Sequence, residues 1–128
     1  MTPQQALDLA AQLHAGQVDK AGRPYIEHLK RVQARLVDYV DHIQVASALH
    51  DSIEDQGQTA ESLAAFGVPS EAIEIIDLVT KRKGPTVAEQ IFKISRHPGA
   101  LAVKLADTAD NSDPLRLAVD ANRKLTIF

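Results

Sequence analysis

Apolar residues along the chain recur at the three- and four-residue spacing of helices, and the strict alternation of a half-buried strand never persists. Ala6, Leu9, Ala10 and Leu13 follow Thr2-Pro3-Gln4-Gln5, which offers an N-cap, a proline for the first helical position and a capping-box glutamine; Gly16 ends the element. Gly22-Arg23-Pro24 turns the chain into a second predicted helix with Ile26, Leu29, Val32 and Leu36 on its apolar face. The spacing predicts a third, unbroken helix over about residues 43–55, closing near Gly57, with Val45, Leu49 and Ile53 inward. Thr59 caps a short fourth that ends at Gly67, and Val68-Pro69-Ser70-Glu71 opens a fifth with Ile73, Ile76 and Val79 or Thr80 inside. Thr86-Val87-Ala88-Glu89 is the capping box of a sixth, which His97-Pro98 interrupts. A seventh carries Leu101, Val103 and Leu105 as its apolar residues, and Asp113-Pro114 caps an eighth. Connections are short and no repeat is visible, so the expectation is an all-α, single-domain helical bundle over residues 1–128.

Composition narrows the chemistry. At 128 residues, with 45% hydrophobic and 24% charged, the chain has enough apolar material for one core and is not disordered. A net charge of −3 gives no electrostatic footprint for a nucleic-acid polymer. No apolar run approaches the roughly 20 residues that span a bilayer, and no signal-peptide core opens the chain, so no membrane partner and a cytoplasmic location are expected. Without cysteine, disulfides, thiolate metal sites and thiol catalysis are excluded. A metal in this chain has to be held by histidine and carboxylate.

Such groups cluster. On a continuous helix His50, Glu54, Asp51 and Asp55 lie at about 0°, 40°, 100° and 140°, one arc opposite the apolar face. Three adjacent carboxylates repel one another, and a divalent cation is the usual means of holding them; imidazole with carboxylate suits Mn, Fe, Zn or Ni rather than Ca. His28 falls on the solvent side of the second helix's apolar stripe. Asp107, Asp110 and Asn111 fall within one turn of the seventh helix. Converging in a bundle, three helices would contribute His28, His50, Asp51 and Asp107 and leave positions open for water and a phosphate oxygen, the arrangement of a hydrolytic metal.

These residues resemble the HD superfamily of metal-dependent phosphohydrolases, and within it the RelA/SpoT-type (p)ppGpp hydrolase domains of the stringent response and their small stand-alone relatives. The matching stretches are His14-Ala15-Gly16-Gln17, Lys20-Ala21-Gly22-Arg23-Pro24-Tyr25-Ile26-Glu27-His28, Ala48-Leu49-His50-Asp51-Ser52-Ile53-Glu54-Asp55, Val79-Thr80-Lys81 and residues 103–111, in order over about residues 14 to 111. The resemblance implies that His28, His50, Asp51 and Asp107 bind the metal, with Mn²⁺ the family's usual ion. It implies that Glu54 and Asp55 activate or position the attacking water, and that Lys20, Tyr25 and Asn111 contact a small nucleotide substrate.

The chain also departs from that pattern. Asp19 stands where these hydrolases carry a basic, base-stacking residue, Leu29 follows His28 where a proline is common, and Thr108 and Asp113 occupy a region where arginines are usual. The chain ends at Lys124-Leu125-Thr126-Ile127-Phe128, sooner than the family pattern, which raises the expectation of a missing closing helix whose footprint another subunit covers in a homo-oligomer. A guanosine 3′,5′-bis(diphosphate) 3′-pyrophosphohydrolase is therefore the first expectation. A phosphatase of another nucleotide or of NADPH is the second, and a non-catalytic, metal-dependent nucleotide binder the third. Among the remaining polar residues, Asp110 reads either as a group behind the metal ligands or as a solvated helix-end carboxylate. His14 reads as a core histidine donating to a backbone carbonyl, His42 and His97 as surface residues, and Lys81-Arg82-Lys83 as a solvated basic helix end.

Overall fold

The computed structural model describes residues 1–113. The eighth predicted helix, opening at Asp113-Pro114, and the chain end at Lys124-Leu125-Thr126-Ile127-Phe128 lie outside the described residues. The described residues form α1 (Pro3–Leu13), α2 (Ile26–Ala34), α3 (Asp41–Leu49), α4 (Ser52–Gln56), α5 (Ala60–Ala65), α6 (Ser70–Val79), α7 (Val87–Ser95) and α8 (Pro98–Asn111). Their one β-type pairing is an isolated bridge between Val18 and Pro24 in the α1–α2 loop.

Local sequence starts several of these helices as expected. Thr2 with Gln5 and Thr86 with Glu89 form reciprocal capping boxes, and Thr59 makes a third with Ser62. His97 caps α8 through Nδ1, which accepts the Ala100 N–H at 3.1 Å, so that nitrogen carries no proton. Gly57 ends α4 in the left-handed region at φ 65°, a conformation costly for residues with a Cβ.

α3 is the axis of the bundle and packs against α1, α2, α6 and α8. Val45, Ala46, Ser47, Ala48 and Leu49 are all buried in succession, so this helix is enclosed on every side rather than amphipathic. Around it Leu29 and Val32 of α2, Ile75 and Ile76 of α6 and Val103 of α8 complete the core, all fully buried.

The third predicted helix is not continuous. It stops at Leu49, Asp51 sits at φ −97°, ψ 0°, and α4 begins at Ser52. The break has a local cause. The Nδ1 of His50 takes the Ser47 carbonyl at 2.6 Å, and the Ser52 hydroxyl takes the Leu49 carbonyl at 2.6 Å. Side chains thus occupy two acceptors of the helical ladder. Ile53, expected inward, is half-buried on the far side of the break.

The faces of two later helices are also rotated from expectation. In α6 Ile76 is buried as expected and Thr80, at its end, is the buried one of the two alternatives, but Ile75 takes the inward place expected for Ile73, which with Val79 is half-buried. In α8 Leu105 is 60% exposed, and the inward stripe is Gly99, Ala102, Val103, Ala106 and Asp110. Small residues let α8 approach closely: a Cβ at Gly99 would stand 2.7 Å from Cδ1 of Ile75.

Leu49 anchors the break from beneath, fully buried beside His50. Leu49→Ala is expected to cost about 2–5 kcal/mol by cavity formation, read as a lower midpoint in urea unfolding with an unchanged slope.

Candidate metal centre

Three parts of the bundle meet at one point: α2 brings His28, the α3–α4 break brings His50 and Asp51, and α8 brings Asp107. One ligand atom from each of the four lies within 4.8 Å of all the others. The Nε2 atoms of His28 and His50 stand 3.0 and 3.1 Å from the same oxygen, Oδ1 of Asp107, and Nε2 of His50 is also 3.1 Å from Oδ2 of Asp51. His28, read from its register as facing solvent, is 1% exposed, because α8 closes over that side of α2. At the helix break two consecutive residues, His50 and Asp51, both reach the cluster.

The two histidines point their Nε2 atoms into the cluster because their Nδ1 atoms are engaged behind it. Nδ1 of His50 donates to the Ser47 carbonyl, a pure acceptor, and Nδ1 of His28 is 2.6 Å from Oδ2 of Asp110. With Nδ1 protonated, a neutral imidazole has only a lone pair at Nε2. Here that lone pair faces carboxylate oxygens at about 3 Å. Such an arrangement requires a positive charge between them, either an extra proton or a metal ion.

The metal-free electrostatics show the same demand. Burial pushes the His50 imidazole down, but hydrogen bonds and charge from Asp107 and Asp51 outweigh it and lift the pKa to about 10. Burial pushes the Asp107 carboxyl up, yet the His28 and His50 hydrogen bonds hold it well below the usual carboxylate range. Asp51 is likewise held down against burial by His50, aided by the Tyr25 hydroxyl, which donates to its Oδ2 at 2.5 Å. Burial and that same carboxylate drive the Tyr25 phenol far above its ordinary value, so it stays a donor.

The other expected site residues divide. Glu54 is exposed and lines a cleft of about 370 Å³ together with His50, Asp51 and Asp107. Lys81 and Lys104 also line it, while Val79, Ile91 and Val103 give it an apolar wall. Lys81, read as part of a solvated helix end, therefore borders the site. Asp55 is not part of that lining; its Oδ2 accepts from Nε2 of Gln17 at 3.0 Å. Tyr25 stacks on His14 at 5.3 Å and addresses Asp51. Asn111 is exposed and reaches Oδ1 of Asp107 at 3.4 Å. Lys20 is exposed in the α1–α2 loop and does not line this cleft. Asp19, in the same loop, accepts from the Ala21 and Arg23 amides at 2.9 and 3.0 Å.

His14 is buried, but its Nδ1 meets the Gln17 side chain at 2.7 Å rather than a backbone carbonyl. Asp110, left open between two readings, is 1% exposed and paired with His28 and Arg31. The phase of α8 would have shown this, since Ala102, Val103, Ala106 and Asp110 fall on one face. The small size of the alanines concealed that face behind the more hydrophobic Leu105.

No family model matches the chain. It is 35% identical over 125 residues to a probable GTP pyrophosphokinase of Mycobacterium leprae, covering 88% of this chain and 16% of that protein. It is also 35% identical over 125 residues to the bifunctional (p)ppGpp synthase/hydrolase RelA of Mycobacterium tuberculosis, covering 88% and 17%. A third relative, a guanosine-3′,5′-bis(diphosphate) 3′-pyrophosphohydrolase of Borreliella burgdorferi, is 29% identical over 123 residues, covering 86% and 18%. The chain thus spans less than a fifth of the length of these relatives. Among solved structures, a metazoan ortholog of SpoT described as hydrolysing ppGpp superposes with a TM-score of 0.73 at 25% identity, over 90% of this chain and 70% of that one.

The cluster's charge sets a pH dependence for the metal-free chain. The folded-state pKa of His50 lies above its unfolded value of about 6.5, so its contribution to stability is fully present below that value and is lost as pH rises through about 10. The melting temperature of chelator-treated protein is expected to fall steadily as pH is raised above about 7. A flat profile up to the folded-state pKa would show that Asp51 and Asp107 do not hold that proton.

Proposed function

We propose that this chain is a member of the HD superfamily, alongside the RelA/SpoT-type hydrolase domains, and a metal-dependent phosphohydrolase of a small nucleotide. In this reading residues 1–128 form one catalytic domain acting in the cytoplasm, and its reaction is 3′-pyrophosphate release from guanosine 3′,5′-bis(diphosphate). The observation that carries the reading is the convergence of His28, His50, Asp51 and Asp107, all within 4.8 Å, beside a cleft that Glu54 lines. The name of the relative in Borreliella and the description of the metazoan structure support the choice of substrate.

The donor set of two imidazoles and two carboxylates fits a divalent transition metal, and Mn²⁺ is the ion we assign. Held there, the cation supplies Lewis acidity toward phosphate and makes water easier to deprotonate. The chain's own residues do the rest. Glu54, exposed to the cleft, accepts the proton of the attacking water. Asp55, tied to Gln17 outside the cleft lining, acts on that water only through the placing of α4, which carries Glu54. The water oxygen bonds to the phosphorus attached at the 3′ position while the bond from that phosphorus to the 3′ oxygen breaks. Pyrophosphate departs, and the nucleoside 5′-diphosphate takes up a proton at its 3′ oxygen. Lys20 and Asn111 bind the nucleotide. Tyr25 borders it while its hydroxyl keeps Asp51 turned toward the metal.

A second reading, phosphate removal from another nucleotide or from NADPH, is favoured by Asp19. Its carboxylate is folded back onto its own loop at a position where a basic side chain would stack on a base. The first experiment is a product-resolved assay of Mn²⁺-loaded protein on guanosine 3′,5′-polyphosphates, ordinary nucleotides and NADPH. Pyrophosphate from the 3′ position, abolished by chelation, is the expected result; inorganic phosphate from the other substrates alone selects the second reading.

His50→Ala and Asp51→Ala are each expected to lose metal and activity together, and stoichiometric Mn²⁺ in either variant would overturn the ligand assignment. Glu54→Gln is expected to keep its metal and lose about 10²–10⁴-fold in kcat. A near-native rate there would remove Glu54 from proton transfer.

A further inference from the structure

The group the sequence left undecided is buried and held from two sides. Asp110 is 1% exposed on α8, one turn beyond Asp107. Its Oδ2 lies 2.6 Å from Nδ1 of His28, while Arg31 sends Nε to its Oδ1 at 2.8 Å and Nη2 to its Oδ2 at 3.3 Å. His28 and Arg31 are one turn apart on α2, and Asp107 and Asp110 are one turn apart on α8. The ring of His28 is therefore held at both nitrogens by carboxylates from a single facing helix.

We propose that Asp110, fixed by Arg31, is a positioning residue that sets the tautomer of His28 and so presents its Nε2 lone pair to the metal; this rests on the metal-centre reading above. The physical problem is a choice between two acceptors. Asp107 Oδ1, at 3.0 Å, would accept a proton on Nε2, and that tautomer cannot ligate. Asp110 offers the shorter contact at Nδ1 and, as a carboxylate, can only accept, so it draws the proton to Nδ1. His50 solves the same problem with the Ser47 carbonyl, which cannot be substituted away. For His28 the choice depends on a side chain, and a side chain can be changed.

Arg31 makes the consequence of a substitution specific. Guanidinium nitrogens only donate, and Arg31 makes its shorter contact, Nε at 2.8 Å, to Oδ1 and its longer one, Nη2 at 3.3 Å, to Oδ2, so in Asp110→Asn the amide oxygen is favoured at the Oδ1 position. The amide NH₂ then takes the Oδ2 position and donates to Nδ1 of His28, forcing the ring proton to Nε2. Removing Arg31 as well takes away the donor that favours that orientation, so the amide can turn over and offer its oxygen to Nδ1, restoring the ligating tautomer.

Mn²⁺ titration of metal-free protein by calorimetry, with melting curves for each variant, tests this. Asp110→Asn is expected to bind Mn²⁺ about 10–100-fold more weakly than the parent. Arg31→Ala, which leaves the carboxylate on Nδ1, is expected to stay within a few-fold of the parent. The Arg31→Ala/Asp110→Asn double variant is expected to bind more tightly than Asp110→Asn and close to Arg31→Ala. A purely structural role predicts the opposite order, with the double variant the weakest of the three. Parent-like binding by Asp110→Asn, or a double variant no tighter than Asp110→Asn, would overturn the proposal. If Asp110→Asn alone fails to fold, the double variant is read against Arg31→Ala, and a loss of tenfold or more between them overturns it equally. Unchanged Mn²⁺ binding by His50→Ala would instead locate the fault in the metal-centre reading itself.

Discussion

One carboxylate oxygen, Oδ1 of Asp107, lies about 3 Å from the Nε2 atoms of both His28 and His50. Three helical segments, distant in sequence, are brought to that oxygen, and each brings a group that repels or is repelled unless a positive charge sits among them. The rest of the site follows from this demand. The Nδ1 atoms are engaged from behind by Ser47 and Asp110, Asp51 is steadied by Tyr25, and Asp110 is steadied by Arg31. The core beneath serves the same end, since α3 is enclosed by α1, α2, α6 and α8 and so delivers His50 to a fixed point.

The supporting hydrogen bonds form two separate groups. In one, α2 and α8 grip the His28 ring through paired carboxylates and an arginine. In the other, the α1–α2 loop and α4 are tied through Gln17, which accepts from Gln56 at 2.6 Å and donates to Asp55. Glu54 is exposed and lines the cleft. Metal binding and proton transfer are thus assigned to residues with different constraints. Of the four candidate ligands His28 and His50 are buried and Asp51 and Asp107 half-buried, whereas Glu54, the proposed proton acceptor, is open to solvent.

Much of this was legible without coordinates. The capping boxes at Thr2 and Thr86 act within three residues, so the sequence shows them directly. The order of His28, His50-Asp51, Glu54-Asp55 and Asp107 was sufficient to suggest a metal and a hydrolytic family. Two kinds of feature were hidden. The break after Leu49 depends on side chains taking backbone carbonyls, a competition that helical periodicity does not register. The buried face of α8 is built largely of alanine and glycine, so hydrophobicity pointed to Leu105 instead.

The chain by itself therefore determined the helices, their caps and the identity of the groups able to hold a metal, because these follow from local spacing and from donor chemistry. Tertiary structure alone decided which way those groups face. It buried His28, turned His50 and Asp51 inward at a break, and set Asp55 on Gln17 rather than in the cleft. It also placed Asp110 behind a ring 82 residues earlier in the chain. The reason is that the direction of a side chain depends on which helix covers it, and that is fixed only when distant segments pack around α3.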